Sequence, residues 1–427
     1  MTTTHDNDAP LSLFRVDASA HGHGAPRRSA HAAVSRRLRY AYVKNGDAVD
    51  QVRRVLESGY RDGPDAFIGD FIRAHAEDEL LVLCCWPRKD VLKAPNIHAE
   101  SFPAVRTGPR RFLSRAWSAL RIGWAILAFR PDRVLCGCTG ELLWVSVAAA
   151  KLLGVPVVNS RHNSLTERRG LGRIVSWLDR MCVRACDAVV CHGPFTLHEM
   201  RRIGVPETRA HEFGLSFRDF AERSLRTSPP PELSEFVRRF EHIVMFVGRV
   251  QRDKGVIDLL DAYRMLPESV RDRTGLVYVG DGRGMFELEN GVRERMLTDR
   301  VLIMGRVPHD RLPAVMRLAT VVTAPTRPEF PEGRCKVVPE ALVLGVPVIA
   351  PNFGPFPFGV RDGIDGLLFS PGSVSALASS LERVLGDPGT LEALRRGAKA
   401  SRERLMGEPV GFARAVEAAF RCGRSAR

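Results

Sequence analysis

The sequence is poor in aromatic residues, at 7% of 427, and no Lys/Arg-rich run is interleaved with them. That argues against a surface that stacks on bases, so no nucleic-acid partner is expected. Long apolar runs are also missing. The best candidate for a membrane span, residues 116–129, is too short and is interrupted by Arg121. The N-terminal stretch carries acids and histidines and no apolar segment, so a secretory signal is not expected. The nine cysteines are odd in number and fit no zinc spacing. Cys84-Cys85, Cys136/Cys138 and Cys182/Cys186/Cys191 sit in apolar runs, which predicts buried free thiols in a reducing cytoplasm. The one Asp-x-Asp triplet, Asp6-Asn7-Asp8, falls in a stretch without periodicity. No metal site is expected.

What is present is a globular balance, 44% hydrophobic and 26% charged, in a chain long enough for two domains. The formal net charge of +14 favours anionic partners: nucleic acid, a membrane surface or a phosphorylated ligand. Residues 1–36 read as a disordered tail rich in Thr, His, Ala, Gly and Arg. From Leu38 onward, buried strands alternate with helical patterns. Strands are predicted at 38–43, 80–85, 132–136, 155–159, 188–191 and 211–215, then at 242–247, 276–279, 301–304, 321–324, 346–350 and 367–369. Helices between strands argue for parallel βαβ units, hence an α/β chain of two doubly wound parallel-sheet domains. The unit Leu153-Gly-Val-Pro-Val-Val158 recurs as Leu344-Gly-Val-Pro-Val-Ile349, each a helix end, a Gly stop and a buried strand. Three consecutive prolines, Pro229 to Pro231, mark the linker. The expected division is a first domain over 37–225, a linker over 226–236 and a second domain over 237–405. A C-terminal helix over 406–427 could pack on either domain.

Ligands of open parallel sheets bind beyond the carboxyl ends of the strands. One such loop follows Gly248 and carries Arg249 and Lys254, a planar donor fork and a point charge suited to phosphate oxygens. A second runs from Arg327 to Leu342 and holds two carboxylates, Glu332 in a Gly/Pro loop and Glu340 beside Pro339 in the first turn of a helix. Glu340 can accept two hydroxyls of a ribose, and Glu332 can reach a sugar beyond the phosphates. The third, Gly280-Asp281-Gly282, has the wrong glycine spacing for a dinucleotide fingerprint, which excludes a nicotinamide or flavin site there.

These residues resemble the retaining glycosyltransferases of family 4, which have the GT-B fold of two Rossmann-like domains around a deep cleft. The resemblance covers roughly residues 240–390. It rests on Phe246-Val-Gly-Arg249 with Lys254-Gly255, Gly280-Asp281-Gly282, Met304-Gly-Arg-Val-Pro308, the Glu332/Glu340 pair running into 341–350, and 362–369. It implies that Arg249 and Lys254 hold the diphosphate of a nucleotide sugar, Glu340 the ribose, and Glu332 the transferred sugar. The Gly305-Arg306-Val307 loop holds the base by the same implication. Gly248, Gly280, Asp281 and the stretch Cys335-Lys336-Val337 fall on the donor side. In the first half, Gly59, Tyr60, Asp62 and Gly63 lie where the family has an acceptor loop, and His162 where it often has a His close to the sugar. The sequence departs from the family at Phe213-Gly-Leu-Ser216, at His192-Gly-Pro194, and at Gly333-Arg-Cys-Lys336, where a Gly-Phe-Gly type is common.

The implied activity is metal-independent hexose transfer from a nucleotide sugar (UDP or GDP form open) with retention, to a glycan or lipid-linked acceptor in bacterial surface polysaccharide or glycoconjugate synthesis, without a cofactor. Two rivals share the fold: a nucleotide-sugar epimerase and a non-catalytic partner protein. Arg106, Arg110, Arg111, Arg115 and Arg121 surround an apolar helix with Trp117 and Trp124. Two readings of it stay open: a peripheral contact with anionic lipid at the inner face of the cytoplasmic membrane, or a core helix with exposed arginines.

Overall fold

Strands such as His242–Val247 and Thr274–Val279 are apolar on both faces, a pattern that only a sheet covered on both sides can bury. The computed structural model describes residues 36–58, 66–105, 111–162, 172–330 and 332–425 and builds two such sheets. The first contains β1 (Arg39–Lys44), β2 (Glu79–Trp86), β3 (Asp90–Ala94), β4 (Ile97–Pro103), β5 (Arg133–Gly137), β6 (Val157–Arg161), β7 (Ala188–His192) and β8 (Ala210–Phe213). Their order is β3-β4-β2-β1-β5-β6-β7-β8, parallel except for the β3–β4 pair. The second contains β9 (His242–Val247), β10 (Thr274–Val279), β11 (Val301–Ile303), β12 (Val321–Thr323), β13 (Val348–Pro351) and β14 (Gly366–Phe369). Their order is β11-β10-β9-β12-β13-β14, all parallel.

Both sheets therefore wind outward from a central strand, then cross over and wind the other way. The reversal falls between β1 and β5 in the first sheet and between β9 and β12 in the second, and each is a point where a crevice opens at the strand ends. Each expected strand forms, with its ends within two residues of the expectation. Elements outside the expectations include the helices Ala48–Ser58 and Gly172–Ala185, the edge strand β3 and its partner β4.

The packing draws the boundary between the halves differently from the sequence. Helix Arg218–Arg226, expected with the first half, lies in the second: Phe217, Phe220 and Ala221 join Leu312, Val315 and Met316 in one core. The cause is its apolar face, which fits one side of the second sheet. Pro231, the last of the three prolines, opens the short helix Pro231–Val237, where its missing N–H and fixed φ suit the first turn.

The C-terminal helix Phe412–Ser425 returns to the first sheet. Phe412, Val416 and Phe420 pack with Tyr40 and Phe71, each buried ring contributing about 1.5–3 kcal/mol. Glu417 accepts from buried Arg133 at 2.8 and 2.9 Å and from the Tyr40 hydroxyl at 2.8 Å. The Ala413 amide donates to Asp70 at 2.9 Å. The nine cysteines are free. Among the described residues no helix is long and apolar enough to cross a membrane.

Candidate active site

At the reversal of the second sheet, the loops after β9 and β12 touch. Gly255 has φ +71°, and a Cβ there would stand 2.0 Å from the Pro325 carbonyl oxygen, so only glycine allows this approach. Arg327 locks the two loops together. Its guanidinium donates to both oxygens of Asp258 at 2.7 and 3.0 Å, and its amide donates to the Asp253 carbonyl at 2.9 Å. That clamp fixes the course of the chain toward Glu332.

Lys254 and Glu332 form an ion pair, each side chain only 13% exposed. Phe330 forms a platform beside them. The Lys254 ammonium sits 3.9 Å from its ring centroid and the Arg249 guanidinium carbon 5.4 Å from it. Arg249 itself is exposed. Glu340 is buried in the helix Val337–Val343, with His309 Nε2 at 3.4 Å from its Oε1. Cys335 lies among these charges. Burial pushes its thiol up to about 12, the Glu332 and Glu340 carboxylates add to that, and Lys254 opposes it. The resemblance implied Lys254 on a diphosphate and Glu332 on a sugar; in the structure the two hold each other.

The other residues expected on the donor side line the ends of neighbouring strands. The Gly248 amide donates to Val279 at 2.9 Å, the Gly280 amide to the Gly305 carbonyl at 2.7 Å, and the Val250 amide to the Asp281 carbonyl at 2.8 Å. Asp281 and Arg306 are exposed, while Val307 packs partly against the core. Val337 is buried.

At the reversal of the first sheet lies a cavity of about 410 Å³. Lys44 and Asn45 reach it from the end of β1, Cys138 and Thr139 from the end of β5, and Arg161 and His162 from the end of β6. Arg334 and Lys336 of the second domain line it too. Arg334 reaches the first domain, since a methyl placed on Gly193 would meet its guanidinium at 3.3 Å. The Lys336 ammonium stands 5.8 Å from the Phe67 ring centroid. His162 lies 3.0 Å from the Ser160 hydroxyl. Burial, with Lys44, Arg161 and Lys336 nearby, lowers its pKa to about 3. His192 is lowered to about 2 by burial and by Arg334, and its Nε2 is buried without a hydrogen-bond partner. Both imidazoles are therefore neutral at pH 7. They can share hydrogen bonds with hydroxyls but bring no charge.

The structure thus brings Arg249, Lys254, Glu332, Cys335 and Glu340 together at one reversal and sets His162 with Lys336 at the other. Gly59, Tyr60, Asp62 and Gly63 lie outside the described residues, as do 1–35. Phe330, Arg161, Arg334 and Lys44 are site residues that the sequence did not single out. The signal for Lys44 and Arg161 was their place at a strand's carboxyl end. Among the described residues no group of three or more His, Cys, Asp or Glu could hold a metal ion.

Two doubly wound sheets, each opening a crevice at its reversal and joined by Arg334 and Lys336, define a glycosyltransferase of the GT-B type. The family models agree. That for glycosyl transferases group 1 matches residues 235–403, and that for glycosyltransferase family 4 matches residues 62–212. The chain is 31% identical over 310 residues to the 2-deoxystreptamine glucosyltransferase of Streptomyces kanamyceticus, covering 67% of this chain and 77% of that one. It is 28% identical over 273 residues to the alpha-D-kanosaminyltransferase of the same organism, covering 62% and 70%. The Anabaena protein HepE, solved in complex with UDP, has the same fold at TM-score 0.63 and 17% identity, over 91% of this chain and 99% of that one. This chain belongs to the group 1, family 4 glycosyltransferases.

Proposed function

We propose that the protein moves a hexose from a nucleoside diphosphate sugar to a glycan or lipid-linked acceptor, with retention of anomeric configuration and without a metal or other cofactor. The observation that carries this reading is the arrangement at the β9/β12 reversal, where Arg249 and Lys254 flank one aromatic platform and two carboxylates lie close by. Sugar transfer must stabilise a departing diphosphate while the sugar becomes cationic. Arg249 and Lys254 meet the first charge, and an arriving diphosphate competes with Glu332 for Lys254. Glu332, once released, faces the cationic sugar. Glu340 accepts the ribose hydroxyls. The bond from the anomeric carbon to the phosphate oxygen breaks, the acceptor oxygen bonds to that carbon on the same face, and the acceptor proton passes to the leaving phosphate.

Nuclear magnetic resonance of the product tests this: the anomeric configuration of the donor is expected to persist, and an inverted product overturns the retention. Full turnover in a chelator is the expected sign of metal independence. An epimerase on the same fold would release free nucleotide from donor alone, and a binding partner would bind donor without turnover. Calorimetric titration followed by a turnover assay separates the three.

A second observation bears on the acceptor. On the helix Arg111–Phe129, Leu113, Trp117, Leu120 and Trp124 form one exposed stripe, with Trp117 65% and Trp124 73% exposed. On the helix Gly172–Ala185, Ile174, Trp177 and Met181 form another. Both helices cover the same face of the first sheet. Arg115, Arg121, Arg173 and Arg184 are exposed among these residues. The first helix has no acid, and the one acid of the second, Asp179, is bonded to Trp144 at 2.7 Å and to the Gly140 amide at 3.0 Å. Arg115 pairs with Glu141, but Arg121, Arg173 and Arg184 form no ion pair among the described residues, and Trp and Leu beside such arginines suit the surface of an anionic bilayer. Docked there, the enzyme would meet a lipid-linked acceptor on the cytoplasmic side of the membrane, in surface polysaccharide or glycoconjugate synthesis. Co-sedimentation with anionic but not neutral vesicles is expected. Sedimentation indifferent to lipid charge rules the bilayer out, and a dimer that the Trp117→Ser change dissolves assigns the stripe to a second copy.

A further inference from the structure

The cavity at the reversal of the first sheet carries positive charge that its described lining does not balance. Lys44, Arg161, Arg334 and Lys336 line it, and no acid is among its described lining residues. Arg161 is 3% exposed, and its Nε is buried without a hydrogen-bond partner. Arg161, Arg334 and Lys336 form no ion pair with a carboxylate among the described residues. The carboxylates they feel are Asp179 and Glu199 for Arg161, Glu212 for Arg334 and Glu340 for Lys336, and all lie outside the cavity lining. Burial lowers the pKa of each of these three cations. A buried cation without a partner is unfavourable, and three around one cavity repel one another as well. Elsewhere the same protein avoids this state: buried Arg133 is answered by Glu417. Arg334 and Lys336 follow Glu332 by two and four residues, which sets the cavity beside the proposed sugar position.

We propose that this cavity receives an anionic group, a carboxylate or a phosphate ester, carried by one of the two sugars of the transfer. The inference rests on the reading of the cleft as a sugar-transfer site. An anion seated there gives Arg161, Arg334 and Lys336 the counter-charge that the described lining lacks, and charge-assisted hydrogen bonds from two arginines orient the sugar that bears it. A neutral sugar leaves them unanswered, and an amine-bearing sugar adds to the repulsion. The group selects substrates by charge.

The test uses the full chain and first measures binding of UDP and GDP by calorimetry, which reports on the donor site alone. With the tighter nucleotide bound, glucose 6-phosphate is titrated against glucose. Separately, a nucleoside diphosphate uronic acid is titrated against its neutral hexose counterpart, UDP-glucuronic acid against UDP-glucose or GDP-mannuronic acid against GDP-mannose. The charged member of one pair is expected to bind about tenfold more tightly. Arg334→Gln is expected to erase that preference, with Lys336→Gln as the second variant should the first fail to fold. A preference in the phosphate arm places the anion on the acceptor, and one in the uronic arm places it on the transferred sugar. Equal binding within both pairs overturns the inference and leaves the donor reading standing, as does a preference that both variants retain. If neither nucleotide binds, the sugar-transfer reading fails first and takes this inference with it.

Discussion

The two sheets share one winding but provision its reversal differently. Between β9 and β12, the half-buried cation Lys254 already has its counter-charge in Glu332, and Phe330 supports it from the side. Between β1 and β5, the cations around the cavity have no acid in the described lining. A compensated site is stable when empty and gains a ligand by exchanging partners. An uncompensated one is stabilised by whatever brings the missing charge. The same topology thus supports two electrostatic designs, and the difference is written in single side chains rather than in the fold.

The largest expected effect tests the cost of an unanswered cation. Glu417→Ala leaves Arg133 a buried charge without a counter-charge, held only by the Tyr40 hydroxyl, and should destabilise the protein by about 3–5 kcal/mol in denaturant unfolding. A loss below 1 kcal/mol would erase the contrast between compensated and uncompensated sites. Next come the donor cations. Arg249→Ala and Lys254→Ala should each lower turnover about a hundredfold or more, matching the 3–4 kcal/mol of a preorganised charge stabiliser. Arg249 is exposed, so its removal should leave stability within about 0.5 kcal/mol. Lys254→Ala also strands Glu332 and should lower the melting temperature. Unchanged turnover in both variants removes the assignment.

A smaller effect concerns acidity. His162 and His192 face Lys44, Arg161, Arg334 and Lys336, and their folded pKa values of about 3 and about 2 lie below the ordinary 6.5. Above that ordinary value both states carry neutral rings and the contribution is complete. As pH falls from about 6.5, the unfolded chain takes up protons that the folded chain refuses. Stability then drops by up to about 1.4 kcal/mol per pH unit for each histidine, until the folded values are reached. His192→Asn should flatten the melting temperature between pH 6.5 and 4; a slope equal to the parent's contradicts the assignment. The smallest effect is on the exposed stripe. Trp117→Ser should change stability by no more than about 0.5 kcal/mol while abolishing vesicle binding, and undiminished binding counts against the stripe.

Much of the fold was legible because strands such as His242–Val247 are uniformly apolar and bounded by glycine-bearing loops. The pair β3 and β4 was not, because β3 alternates half-buried and exposed positions along an edge and carries little apolar signal. The helix Arg218–Arg226 falls within the expected first domain, since chain order does not say which sheet Phe217 and Phe220 will cover. At the site, Arg249, Lys254, Glu332 and Glu340 could be picked out because their motif order is specific. That Lys254 and Glu332 hold each other was not legible: they are 78 residues apart, and only the parallel placement of β9 beside β12 joins them. Of the cations of the first reversal, Lys44, Arg161 and Arg334 escaped notice for the same reason, since no local pattern links Lys44 to Arg334, whereas Lys336 was placed on the donor side.

The return of Phe412–Ser425 to the first sheet has a consequence for biosynthesis. A ribosome makes the first eight strands early, yet Arg133, Tyr40 and Phe71 must wait for Glu417 and Phe420 until the whole second sheet has been translated. The early half therefore emerges with an open flank and a lone buried guanidinium. A premature stop shortly before Phe412 would leave the later-made half intact and expose the earlier one to chaperones and proteases.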